Sequence, residues 1–248
     1  MKLLKDIATA PESSLDKDDF KDLTKDYQDK ISDLQVKLFA ESKQSLLVIF
    51  QGMDAAGKGG AVKQTFEEVN PMGIRVYGFK KPTDVEFAHD FLWRVHAVVP
   101  KKGMIHIFDR SHYEDVLIQR VHNWIDEKRV FQRFSHINNF EQLLKEENQT
   151  TILKFFLHVS KDEQLKRLNE RKNDPEKMWK HNDNDFLERE HWDAYEMAYN
   201  SVFENCAVAA PWHIIPSDDN WYKEYLLAKI VCETLEQMNP QYPKIKQH

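Results

Sequence analysis

The chain has 248 residues, 31% of them charged, and a formal net charge of −6. That length accommodates one large α/β domain with a sizeable core, and the acidic balance excludes an overall positive field that would gather nucleic acid. Two cysteines, Cys206 and Cys232, are too few for a disulfide framework or a cysteine-rich zinc site, and no apolar run approaches the length of a membrane span.

Residues 1–15 contain Pro11 and the Ser13-Ser14 pair and read as a loosely held arm. They lack the continuous apolar core of a secretory signal, so a cytoplasmic protein is expected. From Asp16 onward Phe20, Leu23, Tyr27, Ile31, Leu34 and Leu38 recur at steps of three and four, which predicts a long amphipathic helix. Arm and helix together cover about 1–43. The helix is read as a packing element with a solvated outer face, and a contact between copies is its alternative use.

The apolar run Leu46-Leu47-Val48-Ile49-Phe50 then predicts a strand, followed at once by Gly52 to Gly60, G-M-D-A-A-G-K-G-G. Strand, glycine-rich turn and lysine form the arrangement whose backbone N–H groups surround a phosphate. A helix starting near Lys58 adds the positive end of its dipole. The spacing G-x4-G-K is that of a P-loop, with Gly59 standing where a magnesium-binding Ser or Thr is usual. Candidate phosphate contacts are Gly52, Ala55, Ala56, Gly57, Lys58, Gly59 and Gly60. Asp54, inside the loop, would repel a bare phosphate but would attract one through a magnesium ion.

Further strands are expected at Ile74–Phe79, Met104–Phe108, Thr151–Leu157 and Trp212–Ile215. Helices are expected at Asp84–His96, Tyr113–Trp124, Val130–Lys145, after the capping Ser160, and from about Asp218 to Met238. Five strands separated by helices imply a mostly parallel sheet covered on both faces, in a single domain over 1–248.

Ligands of an open α/β sheet collect at the carboxyl ends of its strands. Asp109, ending an apolar strand, is therefore placed as a Walker-B acid that holds magnesium. Arg110, permanently charged and fork-shaped, suits a phosphoryl oxygen. Lys80 and Lys81 end the preceding strand on the same sheet edge. Nine Lys/Arg against seven Asp/Glu between Gly52 and Arg110 make this stretch positive within an acidic chain, which favours a polyanionic substrate. Arg94, flanked by aromatics, needs a counter-charge. Arg167 and Arg171 lie four apart on one helical face, and Pro175 interrupts the helix. The stretch from about 167 to 186 is read as a mobile lid over phosphates.

The combination of G-M-D-A-A-G-K-G-G with Phe79-Lys80-Lys81-Pro82-Thr83, Phe91-Leu92-Trp93-Arg94 and Phe108-Asp109-Arg110-Ser111-His112-Tyr113-Glu114-Asp115 closely resembles the polyphosphate kinase 2 family. The stretch Ala210 to Trp221 resembles it too, and the likeness runs from about Leu15 to Tyr242. The resemblance implies a P-loop kinase fold with a helical lid, and reversible phosphoryl transfer between inorganic polyphosphate and ADP, with AMP as a further acceptor. It implies Mg2+ (or Mn2+) on Asp54 and Asp109, and the transferred phosphoryl group on Lys58 and the loop amides. Polyphosphate would run along Lys80, Lys81, Arg110 and Arg120. Glu114, Arg171 and Lys172 would meet the nucleotide, Arg171 closing from the lid. Ser111 to Leu117 looks most like the subgroup accepting both mono- and diphosphates, which often has Asn where this chain has Asp109. A homodimer or homotetramer is implied, with no nucleic-acid or membrane partner. Two alternatives remain open: an ATP-dependent P-loop kinase of a small-molecule acceptor, and a nucleotide-binding regulator with little turnover.

Overall fold

Leu46 to Phe50 are fully buried because their strand, β1 (Ser45–Gly52), lies at the centre of a sheet and has helices on both sides. The computed structural model describes residues 2–244; Met1 and 245–248, at the ends of the expected single domain, lie outside the described residues. Along the chain follow α1 (Lys17–Glu41) before β1, then α2 (Lys58–Thr65), β2 (Ile74–Gly78), α3 (Asp84–Phe87), α4 (Trp93–His96) and β3 (Ile105–Asp109). After them come α5 (Ile118–Val121), α6 (Glu127–Asn148), β4 (Thr150–His158), α7 (Lys161–Asn173), α8 (Asn184–Glu188), α9 (Trp192–Asn205), β5 (Trp212–Pro216) and α10 (Asn220–Met238). The five-stranded sheet has the order β2-β3-β1-β4-β5 and every pairing is parallel. The architecture is the expected α/β one, and all five strands end at the same edge.

Asp16 caps α1 by accepting from the Asp18 N–H. The helix lies on α10, where Phe20 and Tyr225 meet edge to face at 4.7 Å. Two expected helices are shorter than predicted. The segment Asp84–His96 forms two single turns: Thr83 and Glu86 make a reciprocal capping box at the first, and Asp90 Oδ1 accepts from Leu92 N–H in the break, a local bond that competes with the helix ladder. Tyr113–Trp124 is a 3-10 turn over His112–Val116 followed by α5. Conversely, the sequence reading delimits no element between 187 and Trp212, where α9 in fact covers the β4–β5 side.

Lys154 sits fully buried in the middle of β4. Its ammonium donates to Glu141 Oε2 at 2.7 Å, the Cys206 carbonyl at 2.9 Å and the Tyr113 hydroxyl at 3.2 Å. Tyr113 OH in turn donates to Glu141 Oε1 at 2.7 Å. Every ammonium proton is thus satisfied, which a buried charge requires. Lys154→Met would strand the Glu141 carboxylate, and is expected to destabilise the fold by about 3–5 kcal/mol in urea unfolding. Adding Glu141→Leu should recover much of that loss, and an unchanged midpoint for the single variant would show the pair to be inert.

Candidate active site

The P-loop leaves β1 through Gly52, whose φ of +154° and whose missing side chain are both required. A Cβ there would lie 2.8 Å from the Leu157 carbonyl oxygen of β4. The turn passes through Ala55 at φ +59° and Gly57 at φ +97°, which caps α2. Lys58, the first residue of α2, is buried, and its Nζ donates to the carbonyls of Gly52 at 2.8 Å and Met53 at 3.2 Å. Burial, then Arg110, lowers its pKa, while Asp54, Asp109 and Glu114 oppose the shift. Gly59 and Gly60 face open space. The loop therefore presents N–H groups, a helix N-terminus and one ammonium to the same point, an anion cradle.

Arg110 leaves β3 at φ +62°, a left-handed conformation uncommon for a non-glycine residue. It reaches across to Asp54 in an ion pair, with Glu114 at 3.9 Å. Asp109 ends β3 beside Phe50 of β1 and Gly78 of β2. Burial raises the Glu114 pKa above the ordinary carboxylate range, against the pull of Arg110. Asp54, Lys58, Arg110 and Glu114 therefore form one electrostatic group, with Asp109 at its floor.

The other sequence-predicted residues are more scattered. Lys80 and Lys81 leave β2 next to Asp109, exposed, with the Lys80 carbonyl held by Arg94 at 2.8 Å. Arg94 finds the counter-charge it needs in Asp115, 3.8 Å away and likewise buried. Arg120 turns instead toward the start of α6, bonded to both carboxylate oxygens of Glu127 at 2.7 and 2.6 Å. Arg171 pairs with Asp185 at 3.1 Å, and Lys172 is exposed in the last turn of α7. His112 is buried against Glu141, a packing role.

Arg167, expected in the lid beside Arg171, is built into the floor. Its Nη1 donates to the carbonyls of Ala55 and Ala56 and its Nη2 to those of Ser217 and Asp218, at 3.3, 3.2, 2.7 and 2.8 Å. This holds the Ala55 and Ala56 carbonyls toward α7. Helices α8 and α9 form the facing wall of a cleft lined by Asp54, Arg110, Glu114, Asp185, Glu188, Trp192, Tyr195 and Tyr199. Gln164 donates to the Asp54 carbonyl at 2.9 Å, and Tyr195 OH to Glu188 at 2.8 Å. Sequence reasoning missed this wall, although Trp192, Tyr195, Tyr199, Val202 and Cys206 repeat at steps of three and four, the signal of a buried helical face.

As a cation site, Asp54 and Asp109 are sparse but suitable. Among the described residues no three ligating side chains gather, and neither the Asp109 carboxylate nor Asp54 Oδ2 takes a hydrogen bond. Two uncommitted hard oxygen donors beside a phosphate cradle match Mg2+, which completes its shell with phosphate oxygens and water.

The family model described as polyphosphate kinase 2 (PPK2) matches residues 14–243. An AMP/ADP-polyphosphate phosphotransferase of Meiothermus ruber is 48% identical over 216 residues, 87% of this chain and 80% of its own. An ADP-polyphosphate phosphotransferase of Rhodopseudomonas palustris is 39% identical, covering 92% of this chain and 83% of its own. The crystal structure of polyphosphate kinase 2 from Arthrobacter aurescens TC1 superposes with a TM-score of 0.94 at 41% identity, over 99% of this chain and 89% of that one. The five-stranded sheet and its phosphate cradle are thus those of a P-loop kinase, and the chain belongs to the polyphosphate kinase 2 family.

Proposed function

We propose that the chain transfers phosphoryl groups reversibly between inorganic polyphosphate and ADP, and that AMP is also an acceptor. The observation that carries this is the P-loop cradle around Lys58, joined to Arg110 and Asp54 and continued on the sheet edge by Lys80 and Lys81. A cationic row beside the cradle suits a chain of phosphates better than a single nucleotide tail. The relatives that act on AMP, ADP and GDP with polyphosphate support the nucleotide as second substrate.

In this reading the terminal phosphoryl group of polyphosphate rests on the loop N–H groups and Lys58 Nζ. An ionised phosphate oxygen of the nucleotide attacks in line, its new P–O bond forming as the bond to the polyphosphate bridging oxygen breaks. No general base is needed, because the attacking oxygen carries no proton. Arg110 shifts from Asp54 to the equatorial oxygens, Arg171 approaches from the lid, and Lys80 and Lys81 hold the departing chain. Positioning and electrostatics supply most of the rate in such transfers. Asp54 and Asp109 would hold Mg2+, or Mn2+ in its place, which supplies charge neutralisation on donor and acceptor oxygens when bound.

The nucleoside lies in the cleft between Glu114 and the α8–α9 wall, where Trp192, Tyr195 and Tyr199 offer flat apolar faces. We take 1–248 as one kinase domain whose moving part starts beyond the Arg167 anchor, within the stretch to about 186. We also take it to act in the cytoplasm as a homodimer or homotetramer, without nucleic-acid or membrane partners. Among the described residues no helix is long and apolar enough to cross a membrane.

The test is ATP formation from purified protein, Mg2+ and long-chain polyphosphate, with ADP or AMP as sole acceptor. ATP from ADP, and ADP followed by ATP from AMP with adenylate kinase excluded, is expected. ADP accumulating from AMP without ATP would restrict the enzyme to monophosphates. No product from either would sink the polyphosphate reading and promote an ATP-dependent kinase of a small molecule.

A further inference from the structure

Behind the P-loop lies a second lysine that neither the sequence motifs nor the proposed mechanism uses. Lys223, in the first turn of α10, is 1% exposed. Among the described residues its Nζ makes one hydrogen bond, to Asn220 Oδ1 at 2.6 Å, which leaves two of its three donors without a protein partner there. The ammonium presses on the loop itself: a Cβ built on Gly57 would lie 2.8 Å from Lys223 Nζ and 3.6 Å from Arg167 Nη1. The residue that caps α2 is thus bracketed by two cations, the buried Lys223 and the part-buried Arg167, and a side chain there would displace the Lys223 ammonium.

The charged groups around Lys223 are Arg167 and Glu163 from α7 and Glu224 on α10. Glu163 is committed to Arg167 and Lys166, and Glu224 is half-buried and influenced by Lys17 of α1 and by Glu67. Among the described residues no carboxylate comes within ion-pair distance of Lys223. A buried ammonium without an acid is costly unless something compensates it. Here the pKa is pushed down to about 8, by burial first and Arg167 next.

We propose that Lys223 is a positioning residue for phosphoryl transfer, a buried positive charge behind Gly57 whose counter-ion is the phosphate chain held on the other side of the P-loop. The arrangement spends fold stability on substrate affinity. It gives the loop a field that Lys58 and the backbone N–H groups alone do not supply, without Lys223 touching the reacting atoms. This rests on the phosphotransfer reading of the same site and deepens it.

The sign follows from linkage. Phosphate favours the charged ammonium and so raises its pKa on binding. The affinity gain is complete below about pH 8 and is lost as the pH rises through the higher pKa of the complex. Each unit of rise corresponds to about 10-fold in affinity.

Calorimetric titration of the intact protein with long-chain polyphosphate, at pH 7, 8 and 9 in buffers of different ionisation heat, reads the proton uptake directly. Wild type is expected to take up protons at pH 8–9. Lys223→Met, and Lys223→Gln, which keeps an uncharged N–H donor, are expected to lose that uptake, which is at most one proton. They should bind polyphosphate about 10-fold or more weakly at pH 7, raise KM for polyphosphate, and melt at the same or a higher temperature. Equal affinity and uptake in wild type and variants would overturn the inference, as would both variants melting well below wild type, since the lysine would then be structural. Wild type that binds no polyphosphate at any pH would instead overturn the phosphotransfer reading beneath it.

Discussion

Asp109→Asn is expected to lower kcat about 10²-fold or more while leaving the urea midpoint within about 0.5 kcal/mol of wild type. Asparagine preserves the shape at the end of β3. It replaces an uncommitted anionic oxygen by a neutral amide oxygen, a weaker ligand that brings no charge to neutralise a divalent cation. Because Asp109 accepts no side-chain hydrogen bond among the described residues, the substitution breaks no structural contact. Asp54→Asn should cost as much in kcat but differ in one respect. Asp54 also holds Arg110 across the cleft, so its loss frees a guanidinium for phosphate, and KM for polyphosphate should fall or hold steady while kcat collapses. Steady-state kinetics across a Mg2+ titration separate the two. Near-normal turnover in either variant, with the fold intact, would remove that carboxylate from the cation site.

Lys58→Met should be at least as damaging, with a loss of about 10²- to 10³-fold in kcat, the scale seen when one preorganised donor to a developing charge is removed. The Lys58 ammonium rests on the carbonyls of Gly52 and Met53 and no carboxylate pairs with it in the described structure. Methionine fills a similar volume without leaving an acid stranded, so thermal stability is expected to hold or rise. Lys58→Arg should not rescue, because a planar guanidinium is too wide to sit between the two loop carbonyls and still face the cradle. Recovery of activity by arginine would mean that charge alone, rather than the position of one compact donor, is what the loop needs.

The parts legible in the sequence are those whose causes are local. The apolar run of β1, the glycine spacing after it, and an acid closing the strand at Asp109 each announce themselves within a few residues, and the parallel order of the sheet follows from strands alternating with helices. The helices beginning after Asp16 and after the capping Ser160 are readable to within a few residues for the same reason. The breaks at Asp90 and around Val116 were not, because an Asx bond or a 3-10 turn wins there over a pattern that still looks helical. Roles fixed by distant partners were hidden altogether. Nothing near Lys154 in the sequence points to Glu141, and nothing near Arg167 distinguishes a residue of the lid from one that grips the loop at Ala55 and Ala56. Lys223, more than 160 positions from Gly57, is the extreme case. The aromatic face of α9 was periodic enough to be found, but its polar neighbours obscured it.

The Arg167 clamp has a bearing on how the protein comes into being. It joins a loop from the first quarter of the chain to carbonyls at Ser217 and Asp218, just past β5. The strands on which the loop is mounted, β1, β3 and β4, can pair while the chain is still being synthesised, but the half of the grip that anchors Arg167 to Ser217 and Asp218 waits for the last strand to emerge and dock. Contacts of such long sequence separation close late and slowly. A ribosome-bound chain stalled before β5 should therefore carry a formed sheet centre and an unorganised loop, unable to capture phosphate. On this ordering the phosphate cradle would be among the last parts of the molecule to be completed.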